Sequence, residues 1–215
     1  MTSNQTLRLV VIANLTAIST FFYVVFKFEW YFATFLDIQF SNVPAIIAGF
    51  ILGPTGGAIV VLLRTLLKLL IVGSSTGTIG ELADIVISVP VVMVSATIYM
   101  KHRTKKGAII ASLGGMVTWI VVALIANYFF LVDLYIRLFF NGSVQPILAA
   151  MAMVPGVNED NYMILYILYG VIPMNFVLSV LVFTITFIVY KKISILIHDL
   201  NDKFLEIPLS KAPQD

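Results

Sequence analysis

Long apolar runs separated by short polar connections make up most of the chain. They cover residues 7–26, 43–72, 79–100, 107–131 and 162–190. The second run is longer than the ~20 residues that one membrane-spanning helix needs, and Gly53-Pro54 interrupts it. Because proline is favoured in the first turn of a helix, we expect two helices there, 43–52 and 54–72. The pattern therefore predicts an all-α bundle of six transmembrane helices, in one membrane domain spanning residues 1–215.

The basic residues are unevenly distributed among the connections. If the N-terminus is cytoplasmic, the external loops hold only Lys27 and Arg137. The cytoplasmic parts then hold the remaining loop and terminal cations: Arg8, Lys101, Arg103, Lys105, Lys106, Lys191, Lys192, Lys203 and Lys211. Lys and Arg accumulate on the cytoplasmic side of membrane proteins. Both termini are therefore predicted to be cytoplasmic, and the connections 27–42, 73–80 and 132–161 to be external.

Composition supports a membrane protein. Hydrophobic residues make up 60% of the chain and charged residues 11%, whereas soluble domains are about a quarter charged. Such a chain lacks the polar surface that a soluble domain needs, so we expect it in the cell membrane, surrounded by the lipid bilayer. The net charge of +2 is small, and nothing indicates a surface for nucleic acid.

Two cations and two acids lie within the apolar sequence. Arg64 and Lys68 are four residues apart and share one face of the predicted helix. Glu81 and Asp84 begin the next helix at a similar depth. Charges inside a membrane are costly and mark polar interiors or pathways. Two interpretations remain open: ion pairs that hold the two helices together, or direct contact between at least one of these side chains and a ligand.

Two asparagines in apolar surroundings are further candidates. Asn127 stands in LIANYFF and Asn175 in VIPMNFV, both predicted near the outer side. A buried amide needs hydrogen-bond partners, which either a neighbouring helix or a ligand can supply. Most aromatic residues on this side fit an interfacial belt. Among them we select Trp30 and Tyr128 as candidates for stacking on a flat ligand ring.

The sequence offers no pattern typical of an enzyme. It has no cysteine and no G-x-x-x-x-G-K-[ST] motif for ATP. No cluster with metal-ligand spacing and no Ser/His/Asp arrangement is visible. We therefore predict neither catalysis nor a bound metal or cofactor, and we expect any transport energy to come from another subunit.

Several segments resemble the S components of energy-coupling factor (ECF) vitamin transporters, most of all the riboflavin-binding group. They are FSNVPAIIAGFILGPTGG, GSSTGTIGELAD, LIANYFF, YILYGVIPMNFV and the ANLTA of the first helix. The resemblance implies a membrane subunit that captures a small vitamin from outside and docks on a coupling membrane subunit with two ATPases. It also implies that Ala13 and Ala17, one helical turn apart, form the docking face, and that Asn127 and Asn175 contact the ligand.

Three positions depart from the pattern of the riboflavin group. Gln39 precedes Phe40-Ser41 where the group usually has Asp, Asp84 replaces a frequent Asn, and Leu178 follows Asn175 where the group often has Lys. These changes leave pantothenate as the main alternative ligand, because its carboxylate would suit Arg64 or Lys68. A second alternative is a structural membrane subunit that binds no small molecule, in which the buried amides and charges only join helices.

Overall fold

The computed structural model of the protein describes residues 3–30 and 33–205. Its long helices are α1 (Ser3–Val25), α3 (Pro54–Val72), α4 (Ile79–Lys101), α5 (Lys105–Phe139) and α7 (Tyr162–Phe204). Two shorter helices, α2 (Asn42–Leu52) and α6 (Gln145–Ala150), complete the helical part. Five helices in the described residues are long and apolar enough to cross a membrane, and α2 is shorter. The predicted all-α class is therefore confirmed in its main feature.

A two-stranded hairpin is an addition that the sequence did not predict. Strands β1 (Lys27–Trp30) and β2 (Ala33–Gln39) pair antiparallel between α1 and α2, with Lys27 opposite Gln39. This segment mixes aromatic, apolar and charged residues without clear alternation, so we predicted only an external connection. Pairing the two strands satisfies backbone groups that a free loop would leave to water. The hairpin ends beside α2 and brings Gln39 close to the core.

Helix α2 lies at the centre of the bundle. All eleven of its residues are buried, and it packs against α1, α3, α4 and α7. A helix enclosed by protein does not need the length of one that faces lipid. The turn into α3 requires Gly53, whose φ of 87° is a left-handed value that favours glycine, and Pro54 opens α3. Beyond this turn, the backbones of α2 and α3 approach closely at Gly49 and Gly57.

Two helices extend beyond their predicted ends. We expected the fifth helix to stop at residue 131 and a long linker to follow, but α5 continues to Phe139. We expected the sixth to end at residue 190, but α7 runs to Phe204 and has 43 residues. At 1.5 Å per residue α7 is ~65 Å long, about twice the ~30 Å of a hydrocarbon core. The helix is therefore longer than one membrane crossing requires, and the polarity of residues 191–204 did not reveal that the helix continues through them.

Candidate functional site

A cavity with polar side chains in its wall lies inside the bundle, bounded by α1, α2, α3, α4, α5, α7 and the end of β2. The space not filled by protein atoms in and in front of it is about 890 Å³, which includes open solvent. Its walls combine apolar side chains with a few polar ones, which is the composition that lets a site both bury a ligand and orient it.

Five of the eight predicted ligand residues line this cavity. They are Lys68, Glu81, Asp84, Asn127 and Asn175. Arg64 lies behind the wall. Tyr128 is exposed and packs edge-to-face on Phe129, with ring centroids 5.1 Å apart. Trp30 ends β1, and its side chain lies outside the described part of the chain. The ligand contacts themselves stay predictions.

The two cations of α3 are each paired with an acid of α4. Arg64 Nη2 lies 3.0 Å from Asp84 Oδ1 and 3.1 Å from its Oδ2. Lys68 Nζ donates to Glu81 Oε1 and, at 2.9 Å, to the carbonyl of Gly73. The predicted ion pairing between these helices is thus present in the structure. It neutralises charges that would be costly at this depth.

Arg64 is the centre of a buried hydrogen-bond network. Its side chain is fully buried, and its Nη1 donates to Ser41 Oγ at 2.7 Å. Its Nη2 donates to Asn42 Oδ1 at 2.9 Å and to Ser88 Oγ at 3.1 Å. These bonds join α3 to α2, to α4 and to Ser41, the residue that precedes α2. Because every partner is held in turn by another element, Arg64 fixes the wall of the cavity from behind.

The second ion pair lies at the entrance to α4. Glu81 Oε2 accepts a hydrogen bond of 2.7 Å from Ser74 Oγ, so the turn between α3 and α4 is tied to the pair. Lys68 Nζ also lies 5.7 Å from the centroid of the Tyr23 ring on α1, within cation–π range. Both charged groups line the cavity, and each already has a protein partner.

The two asparagines line the cavity from α5 and α7. Asn127 Nδ2 donates to the carbonyl of Ala123 at 2.8 Å. Asn175 Nδ2 donates to the carbonyl of Val171 at 2.8 Å, and its Oδ1 accepts from Trp119 Nε1 at 3.0 Å. Asn127 begins the π-helical turn 127–131 of α5, and Asn175 bonds to Val171, the last residue of the π-helical turn 167–171 of α7. Such turns are rare in proteins, and those that occur often lie at functional sites.

Several polar residues of this site were not predicted from the sequence, and four of them matter most for its geometry. Gln39, Asn42, Ser88 and Trp119 all line the cavity. Gln39 Nε2 donates to Asp84 Oδ1 at 3.3 Å, and Asn42 Nδ2 to Ser88 Oγ at 3.0 Å. Asn42 and Ser88 could have been found by the criterion that selected Asn127, because each is a polar residue in an apolar segment. Among the residues that the structure describes, no three His, Asp or Glu side chains form a cluster that could hold a metal ion.

Helices long and apolar enough to cross a membrane, packed around an internal cavity with polar side chains in its wall, define the class: a membrane protein built around an internal cavity. The chain belongs to the family described as the substrate-specific component of the ECF transporter, whose model matches residues 7–190. It is accordingly a multi-pass protein of the bacterial cell membrane and a transporter component.

Two curated relatives and one solved structure are similar to the chain. The riboflavin transporter RibU of Staphylococcus aureus (strain TCH60) is 29% identical over 191 residues, covering 88% of this chain and 92% of the relative. The riboflavin transporter FmnP of Bacillus subtilis (strain 168) is 28% identical over 128 residues, covering 59% and 67%. A solved structure of the S component of a bacterial ECF transporter matches with a TM-score of 0.60 at 24% identity, covering 89% of this chain and 98% of the other. This structural match supports the fold.

Proposed function

We propose that the protein is the riboflavin-binding subunit of an ECF-type importer. The observation that carries the proposal is the pairing of Lys68 with Glu81. Lys68 is the single cation among the described residues that line the cavity, and this pairing leaves neutral amides as the groups available to a ligand. Such a wall suits a flat, largely uncharged ring system, because an ionised ligand would need an unpaired opposite charge. The two riboflavin transporters among the relatives support the same choice.

The residues divide into ligand contacts and supports. Asn127 and Asn175 hydrogen-bond the ligand. Lys68, Glu81 and Asp84 form the polar wall of the cavity, and Arg64 holds that wall in place. Trp30 stays a candidate for stacking, and we assign no ligand contact to Tyr128. The protein supplies binding rather than catalysis, and needs no cofactor of its own.

The proposed partners are a coupling membrane subunit and two ATPases. A chain that holds a ligand cavity but no ATP-binding motif must obtain transport energy from such a module. We place the docking face at Ala13 and Ala17, both exposed on α1. Small side chains at this spacing let another helix approach closely.

We further propose six membrane crossings with both termini in the cytoplasm. The shortness of α2 is compatible with this count, because protein surrounds it on all sides. Lys191 and Lys192 follow the apolar part of α7, and the extension beyond them would then lie in the cytoplasm.

The topology predicts a labelling pattern. The natural chain has no cysteine. A single introduced cysteine therefore reports on which side of the membrane its position lies. Ser75→Cys, in the exposed turn before α4, should react with a membrane-impermeant thiol reagent added outside cells. His102→Cys, exposed between α4 and α5, should react only after the membrane is opened. Reaction of His102→Cys in intact cells would contradict this orientation.

Asn175→Ala tests the assigned ligand contact. We expect the variant to bind riboflavin more weakly by ~1–3 kcal/mol, because a buried polar group of the ligand loses its partner. The matched control is Asn14→Ala on the exposed side of α1, which should bind like the natural protein. Quenching of flavin fluorescence on titration of purified protein measures both. Equal affinity of Asn175→Ala and Asn14→Ala would remove Asn175 from the site.

A further inference from the structure

We infer that Trp119 positions Asn175 for ligand binding, and that the two asparagines present opposite hydrogen-bonding groups to the ligand. Asn175 presents an N–H donor, and Asn127 presents a carbonyl acceptor. The inference rests on the riboflavin binding proposed above and specifies which part of the ligand the wall recognises. A wall with one donor and one acceptor is complementary to a ligand edge that carries an acceptor beside a donor. The imide of a flavin ring, with a carbonyl next to an N–H, is such an edge.

Trp119 determines which end of the Asn175 amide faces it. The indole Nε1 lies 3.0 Å from Asn175 Oδ1. An indole N–H can only donate, so the asparagine atom that it contacts must be the oxygen. Trp119 lies in α5 and Asn175 in α7, and both line the cavity. The bond between the helices therefore fixes the orientation of this amide before any ligand arrives.

The second hydrogen bond of Asn175 favours the same orientation of its amide group. Its Nδ2 donates to the carbonyl of Val171 at 2.8 Å, and a backbone carbonyl can only accept. An amide nitrogen has two hydrogens, and this bond uses one. The second N–H is the donor that Asn175 has left for a ligand.

Asn127 has the complementary character. Its Nδ2 donates to the carbonyl of Ala123 at 2.8 Å. Because a backbone carbonyl can only accept, the atom of Asn127 that contacts it must be the amide nitrogen. Within the described part of the chain, its Oδ1 has no hydrogen-bond partner. Because Asn127 lines the cavity, this oxygen is an acceptor that can receive an N–H of the ligand.

The surroundings of Trp119 allow its N–H to be removed separately from its ring. The indole is 3% exposed and packs edge-to-face on Phe183, with ring centroids 6.4 Å apart. Trp119→Phe keeps an aromatic ring in this position and deletes the donor. Without that donor, the bond to the Val171 carbonyl alone orients the Asn175 amide, which is then held less firmly for the ligand.

A double-mutant cycle on riboflavin affinity tests the positioning role. Trp119→Phe is expected to weaken binding roughly tenfold. In the Asn175→Ala background, the same change should alter affinity by less than about twofold, because Trp119 acts through Asn175. If the two losses multiply instead, Trp119 acts on the ligand or on the fold directly, and the inference is wrong. If the natural protein binds no riboflavin, the proposed function fails and this inference fails with it.

A ligand analogue tests the acceptor role of Asn127 without changing Trp119. Riboflavin methylated on the imide nitrogen lacks the N–H that Asn127 would receive. The natural protein should bind it roughly tenfold more weakly than riboflavin, and Asn127→Ala should reduce that difference to about twofold. Equal binding of the two flavins by the natural protein would contradict the assignment.

Discussion

Replacing Arg64 with methionine is expected to lower the free energy of unfolding by about 3–5 kcal/mol, because it leaves a buried charge without its partner. Asp84 would keep hydrogen bonds from Thr65 and Gln39. It would lose Arg64, the only cationic side chain that contacts it among the described residues. Ser41 and Asn42 would lose their donor as well. Methionine is flexible and of similar length, so the cost reflects lost charge and hydrogen bonds more than lost volume. Denaturant unfolding of the purified protein in detergent measures the change.

Arg137→Met is the matched control for this measurement. Arg137 also pairs with an aspartate, at 2.9 Å from Asp133, but the two side chains are 72% and 50% exposed. Exposed pairs contribute ~0–1 kcal/mol, so this variant should unfold almost like the natural protein. Adding Asp84→Asn to Arg64→Met should recover part of the loss, because the unpaired carboxylate disappears. Equal stability of Arg64→Met and Arg137→Met would show that the network does not hold the bundle together.

Ala17→Trp is expected to abolish vitamin uptake by cells while leaving riboflavin binding by the isolated subunit nearly unchanged. A bulky side chain on the proposed docking face would hold a partner helix away. Ala17 is exposed on α1 and does not line the cavity, so the change should not reach the ligand. Uptake of labelled riboflavin and titration of the purified variant measure the two effects separately.

Ile18→Trp is the control for the docking prediction. Ile18 is also exposed on α1, but it points ~100° away from Ala17 around the helix. This variant should keep both uptake and binding. If Ala17→Trp loses binding together with uptake, Ala17 contributes to the internal packing of the subunit and the docking assignment is wrong.

The membrane bundle and the paired charges could be predicted from the sequence, because both depend on features that are visible within short segments of the chain. Apolar length marks a helix in a membrane, and Arg64, Lys68, Glu81 and Asp84 had few other partners at their depth. The hairpin between α1 and α2 could not be predicted, since its strands become stable only through pairing with each other. Trp119 was missed for a similar reason. Its role depends on Asn175, which lies in another helix, and a tryptophan in an apolar run looks like ordinary packing.

Titration of the purified protein with riboflavin and, separately, with pantothenate tests the central claim most directly. The account predicts tight binding of riboflavin and no measurable binding of pantothenate, because Glu81 already neutralises Lys68 and Asp84 neutralises Arg64. Tight binding of pantothenate without binding of riboflavin would contradict the account and make Lys68 the main ligand contact. Binding of neither vitamin would favour a structural membrane subunit.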